Sequence, residues 1–357
     1  MKHLDNLDNY RASLGNYQIY REPDPPAWSF KALVLFVQSR PFILVSLLTI
    51  VFVWSMWLLL LGPGYAVSNF MDHWAIALTM LFGSMVAGGT SMGGGAVAFP
   101  VLTKVLEIPA HDAKVFSLAI QTVGMGAASL TIIAMGTRLQ WSFIRFASLG
   151  GILGVWLGSA ILAPILPSNA IRFSFTMMIT SFAVVLLLLK RDRTPRNVTL
   201  PTWSNQSKLI TICVGLVGGI VSGLVGTGMD ICSFSVMVVL FNLCEKVSTP
   251  TSVVLMAINA AVGFFFHQFV IGDFIEPIQQ YWFAAIPVVV VGAPAGAIIC
   301  SYLNRQTIVG ILITLIGLEL FSSLVLIPLD MSLLSLGAAA FTVFCSAYYW
   351  MYRIKLT

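Results

Sequence analysis

The run Phe42–Leu61 contains no charged residue. At a helical rise of about 1.5 Å per residue it is as long as a bilayer's hydrocarbon core is thick, about 30 Å. Comparable runs recur at Phe173–Leu189 and Tyr281–Ser301. Their apolar residues are continuous and do not alternate, which selects helices over the strands of a barrel. Of 357 residues, 58% are hydrophobic and 9% charged, against about 25% charged in a soluble domain. The fold class expected is therefore an all-α polytopic membrane protein with lipid as its main partner. The formal charge of +5 lies in loops and tails, where it reports topology and not a nucleic-acid surface. Five cysteines without metal-type spacing read as reduced packing residues, and no metal or cofactor is implied.

Polar segments divide the chain. Residues 1–40 form an arm expected in the cytoplasm, with Pro23, Pro25 and Pro26 followed by an amphipathic stretch, Trp28–Gln38, suited to a membrane surface. Nothing in this arm reads as a cleavable signal peptide. Residues 41–74 hold a first transmembrane helix and a loop. A polar linker at 190–208 separates two hydrophobic halves, 75–189 and 209–327, and residues 328–357 give a last transmembrane helix and tail.

The halves resemble each other. VAGGTSMGGGAVAFP starts at Val86 and VSGLVGTGMDICSFS at Val221, an offset of 135 that also carries Ser117 onto Ser252. GVWLGSA and GAPAGAI repeat Gly154 and Gly158 as Gly292 and Gly296 at an offset of 138. Matches in constant order imply a duplication. The first Gly-rich block, Ala75–Val105, is too long for one span, and each block reads as two half-helices meeting at a break. Irregular backbone at that depth survives only when buried in protein or lining a wet cavity. If both blocks are re-entrant, with the N-terminus inside and eight full crossings, all nineteen basic residues except Lys104, Lys114 and Arg172 face the cytoplasm. If both blocks crossed, the basic linker would face outward. One hairpin plus three crossings per half is an odd number of passages, so the repeats are expected to be inverted, as in carriers with alternating access. The protein is then expected in the inner membrane with both termini cytoplasmic.

The block GGTSMGGGAVAFP, the following LEIPAHDAKVFSLAIQ, and GTGMD…STPTSVVLMAIN resemble the TauE/SafE sulfite exporter family over about residues 75–325. The resemblance implies a transporter of small sulfur anions, sulfite or organosulfonates, with proton-linked or facilitated movement. This chain departs from the family where Gly226-Thr227-Gly228-Met229-Asp230 replaces a fuller glycine run and a later proline, which leaves the substrate open.

Candidate site residues follow from the breaks. Gly93, Gly94, Gly95, Gly226 and Gly228 would offer backbone N–H groups at half-helix ends, where an oxyanion is stabilised, or would simply permit a tight turn. Thr90, Ser91 and Thr227 would donate hydroxyls to a ligand or cap the half-helices. Ser117 with Gln121, and Ser252 with Asn259, share helical faces and should point into the bundle, either lining the site or bonding helix to helix. No fixed cation is expected deep in the bundle. Asp230, an intramembrane carboxylate, reads as a proton carrier or as a cap at the cytoplasmic mouth; Glu319 invites a similar reading without support from the repeat. His267 reads as an interfacial or packing residue. Gly150, Gly154, Gly158, Gly292 and Gly296 read as close-packing faces. No catalytic constellation appears, so an intramembrane enzyme is disfavoured. A channel with re-entrant selectivity loops remains the alternative to a carrier, and a homo-oligomer is compatible with either.

Overall fold

A computed structural model describes residues 40–94, 101–190, 196–200, 203–327 and 330–354. Gly95, position 193 and the stretch Trp28–Gln38 lie outside the described residues. Over these residues the protein is a helical bundle: α1 (Pro41–Leu61), α2 (Pro63–Asp72), α3 (Trp74–Gly89), α4 (Ala110–Ala134), α5 (Trp141–Ile165), α6 (Ser168–Lys190), α7 (Asn205–Val225), α8 (Met229–Val239), α9 (Glu245–Ile271), α10 (Ile278–Tyr302), α11 (Arg305–Leu326) and α12 (Met331–Ile354). Among the described residues, nine of these are long and apolar enough to cross a bilayer.

Two features differ from expectation. The residues after α1 are not a loop but the helix α2, bent by 83° from α3. Its Asn69 amide donates to the Gln280 carbonyl at 2.9 Å, fixing it across the start of α10. The other is the ninth long helix, α7, the first limb of the second Gly-rich block. It has 21 residues, enough to span by itself. The chain nevertheless turns back: α8 folds along α7 in the opposite sense, with Gly228 against Val221 and Met229 and Cys232 against Gly218. At 11 residues α8 is about 16 Å long and cannot cross.

Small residues set the closest contacts. Along α5 and α7, Gly150 meets Ile212 and Leu216, Gly154 meets Leu216 and Gly219, and Gly158 meets Ile220 and Gly223. The numbers rise together, so the two helices run parallel. Along α3 and α10, Gly292 meets Leu81 and Ser84 while Gly296 meets Met85 and Gly89, again in parallel. A Cβ at these glycines would strike backbone of the neighbouring helix, the requirement for close packing without a hydrophobic driving force. The interfaces are also equivalent, because Ser84 lies at the offset of 135 from Gly219 and Gly154 at 138 from Gly292. Each half thus packs its first limb on the second crossing of the other half.

Polar side chains secure the remaining helices. Pro287 has no N–H to give the Phe283 carbonyl one turn back, and the Trp57 indole of α1 donates to that oxygen instead, at 2.8 Å. Thr176 of α6 donates to Glu319 of α11 at 3.2 Å and lies 2.9 Å from the Ser323 hydroxyl, so Glu319 serves a helix contact. α4 and α9 run antiparallel, with Leu118 against Gly263 and the Gln140 N–H donating to the Thr251 hydroxyl at 3.2 Å. These contacts sort the bundle into two ends. Arg40 meets Tyr302 at one, at 3.2 Å; His111 meets Asp273 at the other, at 3.0 Å.

Candidate functional site

Both Gly-rich blocks break where the sequence places the break. Helix α3 stops at Gly89 because Thr90 is extended, and the Thr90 hydroxyl donates to the Val86 carbonyl at 2.8 Å while accepting the Met92 N–H at 3.3 Å. The chain then turns at Gly93 with φ +65°, a left-handed conformation costly for any residue with a Cβ. Helix α7 stops at Gly226, φ +86°. Its successor α8 is capped by a residue from the preceding limb: the Ser222 hydroxyl accepts the Met229 N–H at 2.9 Å.

The two breaks touch. A Cβ on Gly93 would overlap the Thr227 hydroxyl and lie 2.5 Å from the Asp230 carboxylate Oδ2. Asp230 is fully buried at the N-terminus of α8, where the helix dipole favours a carboxylate. Its Oδ1 accepts the Ile231 N–H at 2.9 Å. Among the described residues, its Oδ2 and the hydroxyls of Ser91 and Thr227, all buried, have no hydrogen-bond partner. A buried polar atom left unpartnered is costly, so this cluster favours a polar guest. Gly94 lies beside it, lining a void of about 10 Å³ with Gln121 and Ser84.

Ser117 and Gln121 reach the second break, in the other half of the chain. The Gln121 amide donates to the Gly226 carbonyl at 2.7 Å and to the Ser117 hydroxyl at 2.8 Å, and the Ser117 hydroxyl donates to the same carbonyl at 3.1 Å. Of their two expected roles, bonding between helices accounts for these donors. The Gln121 Oε1 stays buried without a partner among the described residues. Ser252 donates to the Thr249 carbonyl of its own helix at 2.8 Å. Asn259 abuts Gly151 and its amide has no hydrogen-bond partner among the described residues. Neither is bonded to a break there. Gly228, with φ +130°, packs against Val221.

The expectation of no deep cation is corrected by Lys114. Only 3% exposed, it sits one turn before Ser117, with its backbone against Gly226. The break needs a close neighbour there, and the lysine stem supplies apolar length along the way out.

A cavity flanks the breaks on each side. At the Arg40 end, one of about 320 Å³ is lined by Gly88, Thr137, Arg138, Lys246, Thr249, Cys300 and Ser301 among others. At the His111 end, one of about 50 Å³ is lined by His111, Lys114, Ala163, Arg172 and Leu224 among others. The linings correspond: His111 and Lys114 lie 135 residues before Lys246 and Thr249, and Ala163 lies 138 before Ser301. The smaller cavity is bordered by a chain of polar contacts that sequence reasoning missed. His267, fully buried, has its Nδ1 2.7 Å from Asp273 Oδ1 and its Nε2 3.2 Å from the Ser159 hydroxyl. Asp273 Oδ2 is 3.0 Å from His111 Nε2. Partial burial pushes the Asp273 carboxyl up, but the contacts with His111 and His267 outweigh it and hold it below the usual carboxylate range. The repeat offset marks only two members of this chain, carrying Lys246 onto His111 and Arg138 onto Asp273.

Comparison with known proteins agrees with this architecture. No curated protein and no solved structure is similar enough to add to it. A family profile described as "Sulfite exporter TauE/SafE" matches residues 75–320, from the start of the first broken helix to the end region of α11. That range holds both breaks, both parallel helix pairs and both cavities. The chain therefore belongs to the TauE/SafE sulfite exporter family, a family of multi-pass membrane transporters and not of enzymes.

Proposed function

We propose that this chain carries a small anion, sulfite or an organosulfonate, across the inner membrane by alternating access around the contact between Gly93 and Asp230. The observation that carries this reading is the pair of unequal cavities at repeat-equivalent places. One of about 320 Å³ approaches the first break and one of about 50 Å³ approaches the second. A molecule whose halves are inverted copies exchanges the two cavities by exchanging the conformations of its halves. The parallel pairing of α3 with α10 and of α5 with α7 supports inversion: with the linker at 190–208 inside, α3 and α10 both run inward and α5 and α7 both run outward. On this reading both termini lie in the cytoplasm and the larger cavity is the cytoplasmic one. Ser91, Thr227, the Gly93–Gly94 backbone and Lys114 hold the anion. Asp230 faces the same place and repels an anion unless protonated, which couples proton and substrate.

The test is sulfite flux into proteoliposomes, with and without an imposed proton gradient. Saturable flux that responds to the gradient is expected. Flux that never saturates identifies a pore, and passage of cations or neutral solutes alone removes the anion reading.

A further inference from the structure

We propose that Arg138 and Lys246 form a receiving site for a small oxyanion in the larger cavity, reached before the contact between the breaks; this rests on the transport reading above. The two cations come from different halves of the chain, Arg138 from the turn after α4 and Lys246 from the first turn of α9, and both line the same cavity. Both are exposed at its mouth. Deeper in, one helical turn beyond Lys246, lies Thr249, 3% exposed, whose hydroxyl has no hydrogen-bond partner among the described residues. The two cations and the buried hydroxyl line this cavity together with Gly88, two residues before the first break opens at Thr90.

Among the described residues, no carboxylate lines this cavity. Glu245, next to Lys246, is turned away, buried and 3.7 Å from Arg196. The smaller cavity also carries cations, Lys114 and Arg172, but at the two equivalent positions its residues are of opposite kind. Where Arg138 and Lys246 stand on the larger side, Asp273 and His111 stand on the smaller, within 3.0 Å of each other. There the chain supplies the histidine with its own anion. On the larger side the same two positions carry like charges, which repel one another unless an outside anion lies between them. A cleft lined by one sign of charge raises the local concentration of its counter-ion. An oxyanion suits the set, because a guanidinium pairs with two oxygens at once and an ammonium and a hydroxyl supply further donors.

Two readouts test this in the full chain. Sulfite flux into vesicles of neutral phosphatidylcholine, measured from the Arg138 face, should show the apparent KM of R138A/K246A raised about tenfold with maximal rate little changed, and flux from the opposite face unaltered. R138K should retain most of the wild-type KM. The second readout needs no transport. Cys300 lines the same cavity, and in a variant with the other four cysteines replaced, ethanesulfonate should slow its labelling by a thiol reagent, with protection lost in R138A/K246A. Absence of sulfite flux in wild type removes the transport reading while protection at Cys300 still decides the receiving site. An unchanged KM together with unchanged protection overturns it. So does a KM effect confined to vesicles containing phosphatidylglycerol, which assigns the two cations to lipid headgroups.

Discussion

The Asp230 carboxylate abuts Gly93 so closely that a single methyl group on the glycine would lie 2.5 Å from Oδ2. The two residues belong to different halves of the chain, and their contact joins the two breaks.

Gly93→Ala should therefore be damaging for two separable reasons. The left-handed backbone alone costs about 1–2 kcal/mol, and the methyl displaces Thr227 and Asp230. Gly272→Ala carries the first penalty without the second, since φ is +78° but nothing lies within 4 Å. Thermal unfolding in detergent should show a larger loss for Gly93→Ala, and sulfite flux should fall only in that variant.

Asp230→Asn keeps shape and the bond to the Ile231 N–H while removing the charge. Sulfite flux should persist in this variant but lose its dependence on pH. A pH profile parallel to wild type assigns the carboxylate to helix capping alone.

Gln121→Leu removes the shorter of two bonds to the Gly226 carbonyl. Loss of a buried partner costs about 1–3 kcal/mol, so unfolding should shift downward even with substrate absent. Ser117→Ala, which removes the longer bond, should shift it less.

The depressed Asp273 carboxyl predicts a pH window. A carboxylate held below its unfolded value of about 4 contributes stability that is fully present above that value and is lost as pH falls through the folded one. The difference in thermal stability between wild type and Asp273→Asn should thus hold from neutral pH to about pH 5 and shrink in stronger acid. A gap that closes between pH 7 and 6 places the sensitivity in the histidines instead.

Topology is checked by labelling. A cysteine at position 193 should react only from the cytoplasm, and one at Gly272 only from outside. The reverse pattern overturns the cytoplasmic placement of the termini, and labelling of both positions from one side removes the re-entrant second block.

Much of this was legible because bilayer physics leaves few options. Uncharged runs of fixed length give helices, and glycine clusters inside them mark breaks, so the spans and both turning points could be located from spacing. Inverted repeats gather their broken helices around a shared axis, so the breaks Thr90–Gly95 and Gly226–Asp230 are expected to approach one another, and Gly93 abuts Thr227 and Asp230. The unread parts depend on partners far apart in sequence. Neither His267 nor Asp273 carries a motif, and their link to Ser159 and His111 exists only once α4, α5 and α9 converge. Lys114 counts among the basic residues outside the cytoplasm, but hydropathy cannot show that its stem is buried along a helix. The helix α2 is not legible in the sequence because its ten residues are only moderately apolar and are held by the start of α10.

The crossed pairing of limbs bears on how the protein is made. When α3 leaves the ribosome, its partner α10 has not been synthesised, and α5 likewise waits for α7. The Gly88–Ala293 contact can close only after most of the second half is in the membrane. Until then the first break lacks Thr227 and Asp230, the second-half residues that pack against Gly93. The same dependence means that the chain cut within the linker should yield two fragments inert alone and competent together, a shape assembled by exchange and not by addition.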